Sequence, residues 1–140
     1  RTLLKALMAH LYIAWIHPFG DGNGRTARQL EVEILLQSGL VSMPAAHLLS
    51  NHYNMTRSQY YRELDRSSKS GGDITSFVTY AVQGFVDGLA QQLGVIREEH
   101  MNQVWRNYVH DQFKGKDTPA NIRRRPSCTM TATSYWKVGS

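Results

Sequence analysis

Two apolar-periodic segments meet at one polar stretch, His17-Pro18-Phe19-Gly20-Asp21-Gly22-Asn23-Gly24-Arg25-Thr26-Ala27-Arg28. That meeting constrains the fold of this chain more than any other feature. Before it, Leu3, Leu4, Leu7, Met8, Leu11, Tyr12, Trp15 and Ile16 recur at helical spacing, which predicts a largely buried helix over 2–16 that delivers His17 at its end. Pro18 cannot continue that helix. After the stretch, Ala27, Leu30, Ile34 and Leu35 form a second stripe, which predicts a helix over 25–38 stopped near Gly39. The expected fold is all-α, a helical bundle with a polar loop between two core helices.

The loop residues suit a phosphate-rich ligand. Gly22 and Gly24 permit positive φ and close backbone approach, so that successive N–H groups can turn inward as an anion-binding nest. The unpaired amides at the start of the following helix face the same space. Arg25 and Arg28, three apart, share a helix face and each presents a planar fork that fits phosphate oxygens. Asp21 is a hard oxygen ligand of the kind Mg²⁺ accepts beside phosphates and water. Asn23 can donate to a phosphate oxygen without adding charge. His17 is a residue type that can take up a proton near neutral pH. Base, metal ligand and anion hole together suggest attack by a hydroxyl on a nucleotide phosphate. Taken singly, an Asp-Gly-Asn-Gly run is a turn, a helix-end histidine is a cap, and an arginine pair is a solvated face. Their occurrence in this order is what favours a site.

Composition narrows the class. A chain of 140 residues with 41% hydrophobic content is one domain's worth of globular protein. No apolar run reaches the roughly 18 residues of a membrane span, and no membrane partner is expected. One cysteine, Cys128, excludes an internal disulfide and fits a reducing, cytoplasmic setting. Residues 1–113 hold ten Lys/Arg against ten Asp/Glu, so the net charge of +5 lies wholly in residues 114–140. The basic balance therefore gives no ground for nucleic-acid binding by the main body.

Further along, a short segment is expected from Pro44 through His52. A helix is expected over 57–69, with Thr56 and Gln59 as a capping box and Tyr60, Tyr61 and Leu64 facing inward. Glu31 and Glu33 are expected at the surface. Asp73 should cap a helix that carries Phe77, Tyr80, Ala81, Phe85 and Leu89, with Gly84 and Gly88 admitting a close neighbour. Its pattern continues past Gly94 to about Phe113, as one long helix or one broken near Gly94. The division expected is 1–113 as the core with a helical extension and 114–140 as a basic tail. In that tail Thr118 and Pro119 open a further helix that includes Arg123-Arg124-Arg125, and 126–140 are expected to be disordered.

At the loop the chain resembles the Fic family, whose motif H-P-F-x-[D/E]-G-N-G-R-x-x-R is met at all nine defined positions. The resemblance extends over about residues 2–93. It implies a Fic-type helical bundle that transfers AMP from ATP to a Ser, Thr or Tyr hydroxyl of a target protein, with ATP as substrate and Mg²⁺ as cofactor. His17 would be the general base and Asp21 the Mg²⁺ ligand. Asn23 and the Gly22 and Gly24 amides would hold the α- and β-phosphates, Arg25 the terminal phosphates and Arg28 the γ-phosphate. Phe19 would be a buried anchor of the loop, and Gly20 would belong to the same phosphate-binding set. Tyr60 or Tyr61 would line the adenine pocket, with core packing as the competing reading of each. The family's usual preceding helices and β-hairpin flap are not in a chain that starts at Arg1, so the resemblance makes it a C-terminal portion. The inhibitory pattern [S/T]-x-x-x-E-[G/N] is absent from these residues. The tail would be the stump of a winged-helix module, through which DNA would be a partner. Removal of AMP, transfer of another phosphate-linked group, an inactive nucleotide- or DNA-binding module, and homo-oligomerisation all stay open at this stage.

Overall fold

The structure is a computed structural model and describes residues 1–115. The expectations for Thr118, Pro119, Arg123–Arg125 and 126–140 lie outside the described residues. Among the described residues six helices follow in order: α1 (Thr2–Ile16), α2 (Asn23–Gln37), α3 (Met43–Ala46), α4 (Leu48–Met55), α5 (Arg57–Lys69) and α6 (Thr75–Phe113). No strand occurs among the described residues, so the fold is all-α. No helix among them is long and apolar enough to cross a membrane. Two compact units divide at Gln91 and Gln92. In the second, the Trp105 and Tyr108 rings stack at 5.9 Å one helical turn apart.

The first unit is built on the α1–α2 pair, its most extensive helix contact. Leu7 and Leu11 of α1, Val32 and Leu35 of α2, and Leu49 and Tyr53 of α4 share one core with Tyr60 of α5 and Phe77, Tyr80, Ala81 and Phe85 of α6. The α6 residues are those the periodicity placed inward. Helix α1 departs from expectation: only the Ala6, Leu7, His10 and Leu11 side is buried, while Leu4, Tyr12 and Ile16 are exposed. In α2, Leu30 is exposed and Glu31, expected at the surface, is fully buried. The Pro44–His52 segment is two helices, because His47 ends α3 and begins α4. The capping box at Thr56 does not form. Its Oγ1 instead donates to the His52 carbonyl at 2.7 Å and meets the Tyr80 hydroxyl, which ties α4 to α6. Asp73 accepts from the Thr75 amide at 2.9 Å, as a cap at the start of α6 should.

Gly84 and Gly88 do admit a neighbour, and that neighbour is α4. A Cβ on Gly84 would stand 2.2 Å from His52 Cδ2, and one on Gly88 would stand 3.1 Å from Leu48 Cδ2. Gly84→Ala must push the imidazole out of its notch, and overpacking of that kind costs about 1–3 kcal/mol. The gain in helix propensity, about 1 kcal/mol, offsets only part of it. Gly88→Ala should be close to neutral, since Leu48 can yield a few tenths of an ångström. Denaturant titration of the two variants checks the contrast, and equal effects would contradict the notch.

The same notch makes the packing acid-sensitive. Burial holds the His52 imidazole below the usual histidine value, while the nearby Asp87 carboxylate acts weakly the other way. Its folded value therefore lies below its unfolded one. The stability it contributes is full above about pH 6.5 and is lost as pH falls through the folded value. Melting temperature should fall less steeply below that pH in His52→Gln than in the wild type, and identical slopes would remove His52 from the cause.

Candidate active site

The loop begins with strained backbone. His17 is the C-cap of α1 at φ 51° and ψ 53°, the only positive-φ residue other than glycine among those described. Its amide still donates to the Ile13 carbonyl at 3.1 Å, so the helix closes normally while the chain turns away. The left-handed turn leaves the imidazole exposed at the helix end, with Nδ1 3.4 Å from the Ala14 carbonyl oxygen. A carbonyl can only accept, so Nδ1 is the donor in this contact, and in the neutral tautomer that makes it Nε2 carries the free lone pair.

The loop ends on the first turn of α2. Gly22 is its N-cap at φ 87°, a conformation that favours glycine. The first helical bond runs from the Thr26 amide to the Gly22 carbonyl at 2.9 Å, and no side chain caps the helix. The amides of Asn23, Gly24 and Arg25 are therefore left to face outward. Between the two helices the loop is clasped by Asn23. Its Oδ1 accepts from the Phe19 amide at 2.9 Å, and its Nδ2 donates to the Phe19 carbonyl. The clasp explains why a polar residue at the second helix's start is buried.

Charged groups gather at the same end. Arg25 Nη2 lies 3.1 Å from Asp21 Oδ2, an exposed ion pair at i, i+4 that is weakly held and readily exchanged. Both arginines fold back toward the loop: their guanidinium nitrogens lie 3.5 Å from where a Cβ would stand on Gly22 (Arg25) and on Gly24 (Arg28). Side chains on a helix lean toward its N-terminus, so two arginines in the first two turns return their charge to the free amides.

Several expected site residues sit otherwise than anticipated. Phe19 is 48% exposed, not a buried anchor, because its backbone and not its ring is held. The Asn23 amide is spent on the loop itself. The Gly22 amide donates to Asp21 Oδ1 at 2.6 Å, so the free donors are the three amides that follow. Gly20 is open, with nothing near a Cβ placed there. Tyr60 belongs to the core, its hydroxyl 2.9 Å from His10 Nε2, and so does not line an open adenine pocket. Burial raises the Tyr60 phenol to about 12, against the opposing Arg28 charge. Tyr61 is exposed beneath the Arg57 guanidinium, 5.9 Å from its ring centre, and does not pack inward. Sequence reasoning missed the buried His10–Glu31 pair. The available signal was spacing, since Ala27, Glu31 and Leu35 recur every fourth residue and put Glu31 on the buried stripe.

Among the described residues no group of three or more His, Cys, Asp or Glu surrounds Asp21. One exposed carboxylate next to free amides and two guanidiniums suits Mg²⁺, which takes one or two carboxylates and fills its remaining positions with phosphate oxygens and water. It does not suit a metal held by protein alone.

Residues 1–35, which span α1, the loop and most of α2, match the model of the Fic/DOC family. "Protein adenylyltransferase fic-1" of Caenorhabditis briggsae is 31% identical over 102 residues, covering 71% of this chain and 18% of the relative. The protein of the same name from Caenorhabditis elegans is 32% identical over 100 residues, 70% of this chain and 18% of the relative. "Protein adenylyltransferase Fic" of Aedes aegypti is 39% identical over 75 residues, 54% of this chain and 13% of the relative. The chain thus spans less than a fifth of the length of these relatives. No solved structure matches it. With all nine motif positions in one loop and that loop inside the matched segment, residues 1–35 of this chain form a Fic/DOC family segment.

Proposed function

We infer that this chain transfers the AMP group of ATP to a hydroxyl side chain of a target protein. The observation that carries the reading is the pairing of an exposed His17, its Nε2 free, with an uncapped helix start six residues on that gathers three amides and two arginines. The names of the adenylyltransferase relatives support the same reaction.

The chemistry then follows from the residues. Amides of Asn23, Gly24 and Arg25 donate to phosphate oxygens, and Arg25 and Arg28 add charge-assisted bonds. Arg25 leaves Asp21 to do so, which frees the carboxylate to hold Mg²⁺. Bound there, Mg²⁺ supplies charge neutralisation of the phosphates. Nε2 of His17 takes the proton of the target hydroxyl as its oxygen attacks the α-phosphorus. The bond from that phosphorus to the oxygen leading to the β-phosphate breaks, and pyrophosphate leaves. Because Nδ1–H is anchored on Ala14, the proton arrives at the nitrogen that faces outward. Asn23 keeps the loop closed, and Gly22 gives it room to turn. The serine, threonine or tyrosine identity of the acceptor and the cytoplasmic setting belong to this proposal. The second rests on the lone Cys128.

Incubation with ATP, Mg²⁺ and host-cell proteins, followed by peptide mass spectrometry, tests the reading. An AMP adduct on a hydroxyl residue is the expected product, and a phosphate adduct would overturn it.

A further inference from the structure

Four buried polar side chains lie behind the loop and take no part in the steps above. Tyr53 Oη donates to Glu31 Oε1 at 3.0 Å, Glu31 Oε2 lies 3.3 Å from His10 Nδ1, and His10 Nε2 lies 2.9 Å from Tyr60 Oη. His10 and Glu31 have no solvent exposure at all. Donor and acceptor rules orient the chain of bonds. A carboxylate only accepts, so His10 Nδ1 donates to Glu31, while His10 Nε2 and the Tyr60 hydroxyl share one hydrogen bond that either can donate. Tyr53 meets the same carboxylate from the other side. One continuous chain of bonds therefore joins α5, α1, α2 and α4.

Such a chain is poorly suited to adding stability, since apolar side chains of equal volume often do as well or better. What it adds is direction. Apolar neighbours tolerate sliding and rotation, whereas hydrogen bonds fix both distance and angle. His10 precedes His17 by seven residues, and Glu31 follows Asn23 by eight. At 1.5 Å per residue the link stands roughly 10–12 Å behind the loop on both helices. A change in the α1–α2 angle there is carried along both helices to the two ends of the loop.

We propose that Glu31 and His10 are positioning residues, which set the angle at which the His17 imidazole meets the free amides of α2. The inference rests on the AMP-transfer reading for its effect on rate, but its geometric content is separate. The test uses the whole chain carrying His10→Phe with Glu31→Met, an apolar replacement of similar bulk. The double variant should lose clearly less stability than His10→Ala, because it strands no buried charge and leaves only the two phenols at its edges without a partner. Its kcat should fall about 10- to 100-fold, the scale of an ångström-sized misplacement. Its KM for ATP should stay within about twofold, because the phosphate-binding groups all lie on α2. Should the double variant not fold, Glu31→Gln keeps the shape, misplaces one proton, and should show the same split in weaker form. Unchanged kcat in a folded variant would overturn the proposal. So would kcat and ATP affinity declining together in step with melting temperature, the mark of a merely structural role. The His17 side-chain NMR signal is read in the same samples without turnover. A shift is expected, and an unmoved signal would overturn the proposal. If the wild type transfers nothing, the AMP-transfer reading fails alone and the NMR comparison still decides the positioning role.

Discussion

Replacing His17 with alanine is expected to lower transfer from ATP to a protein hydroxyl by about 10²–10⁴-fold, the usual contribution of a positioned base. ATP affinity should change by no more than about twofold, because no phosphate-binding group is touched, and a loss confined to kcat marks an interaction made only in the transition state. Alanine alone leaves an ambiguity, since His17 also occupies left-handed backbone that costs a residue with a Cβ about 1–2 kcal/mol. His17→Asn separates the two roles. Asparagine tolerates that backbone but cannot take the proton. Equal loss in both variants, read by initial rates at saturating ATP, is the expected result. Recovery of most of the rate in His17→Asn would make the residue a loop former and not a base.

The second large effect is on stability. His10→Ala should cost about 3–5 kcal/mol, measured by urea titration, because it strands a buried carboxylate and a buried phenol. Burial and the Glu31 charge already hold the Tyr53 phenol well above its ordinary value, as expected for a hydroxyl that has only a carboxylate to donate to. Losing one partner of such a chain is far worse than replacing both, and this separates the single variant from the apolar double variant above. A cost under about 1 kcal/mol would mean that water enters and satisfies Glu31. That outcome would contradict a closed core at this contact.

Much of this was legible before the fold. The first helix was placed over 2–16, and the second only two residues late, because a proline and three glycines punctuate an otherwise periodic pattern. The inward face of α6 was legible for the same reason, and so was the close approach at Gly84 and Gly88. The misreadings share one cause. A polar or aromatic residue was assigned by type where its partners decide its place. Glu31 was assigned to the surface as a carboxylate, yet it falls on the buried stripe and finds His10 and Tyr53 there. Asn23 was assigned to a phosphate, but its amide matches the free N–H and C=O of Phe19 four residues back. Thr56 was assigned to the helix after it, but its hydroxyl meets Tyr80, twenty-four residues away. Contacts of that separation leave no local periodicity. The exposed Leu4, Tyr12 and Ile16 likewise fit a helical pattern that cannot say which of two apolar faces is covered.

The central claim is that the loop moves the α-phosphoryl group with its nucleoside, and one measurement addresses it directly. The wild-type chain is incubated with Mg²⁺ and host-cell proteins in two parallel reactions, one with ATP labelled at the α-phosphate and one with ATP labelled at the γ-phosphate. Protein-bound label from the α position alone is the predicted result. Protein-bound label from the γ position, or none from either, would contradict it.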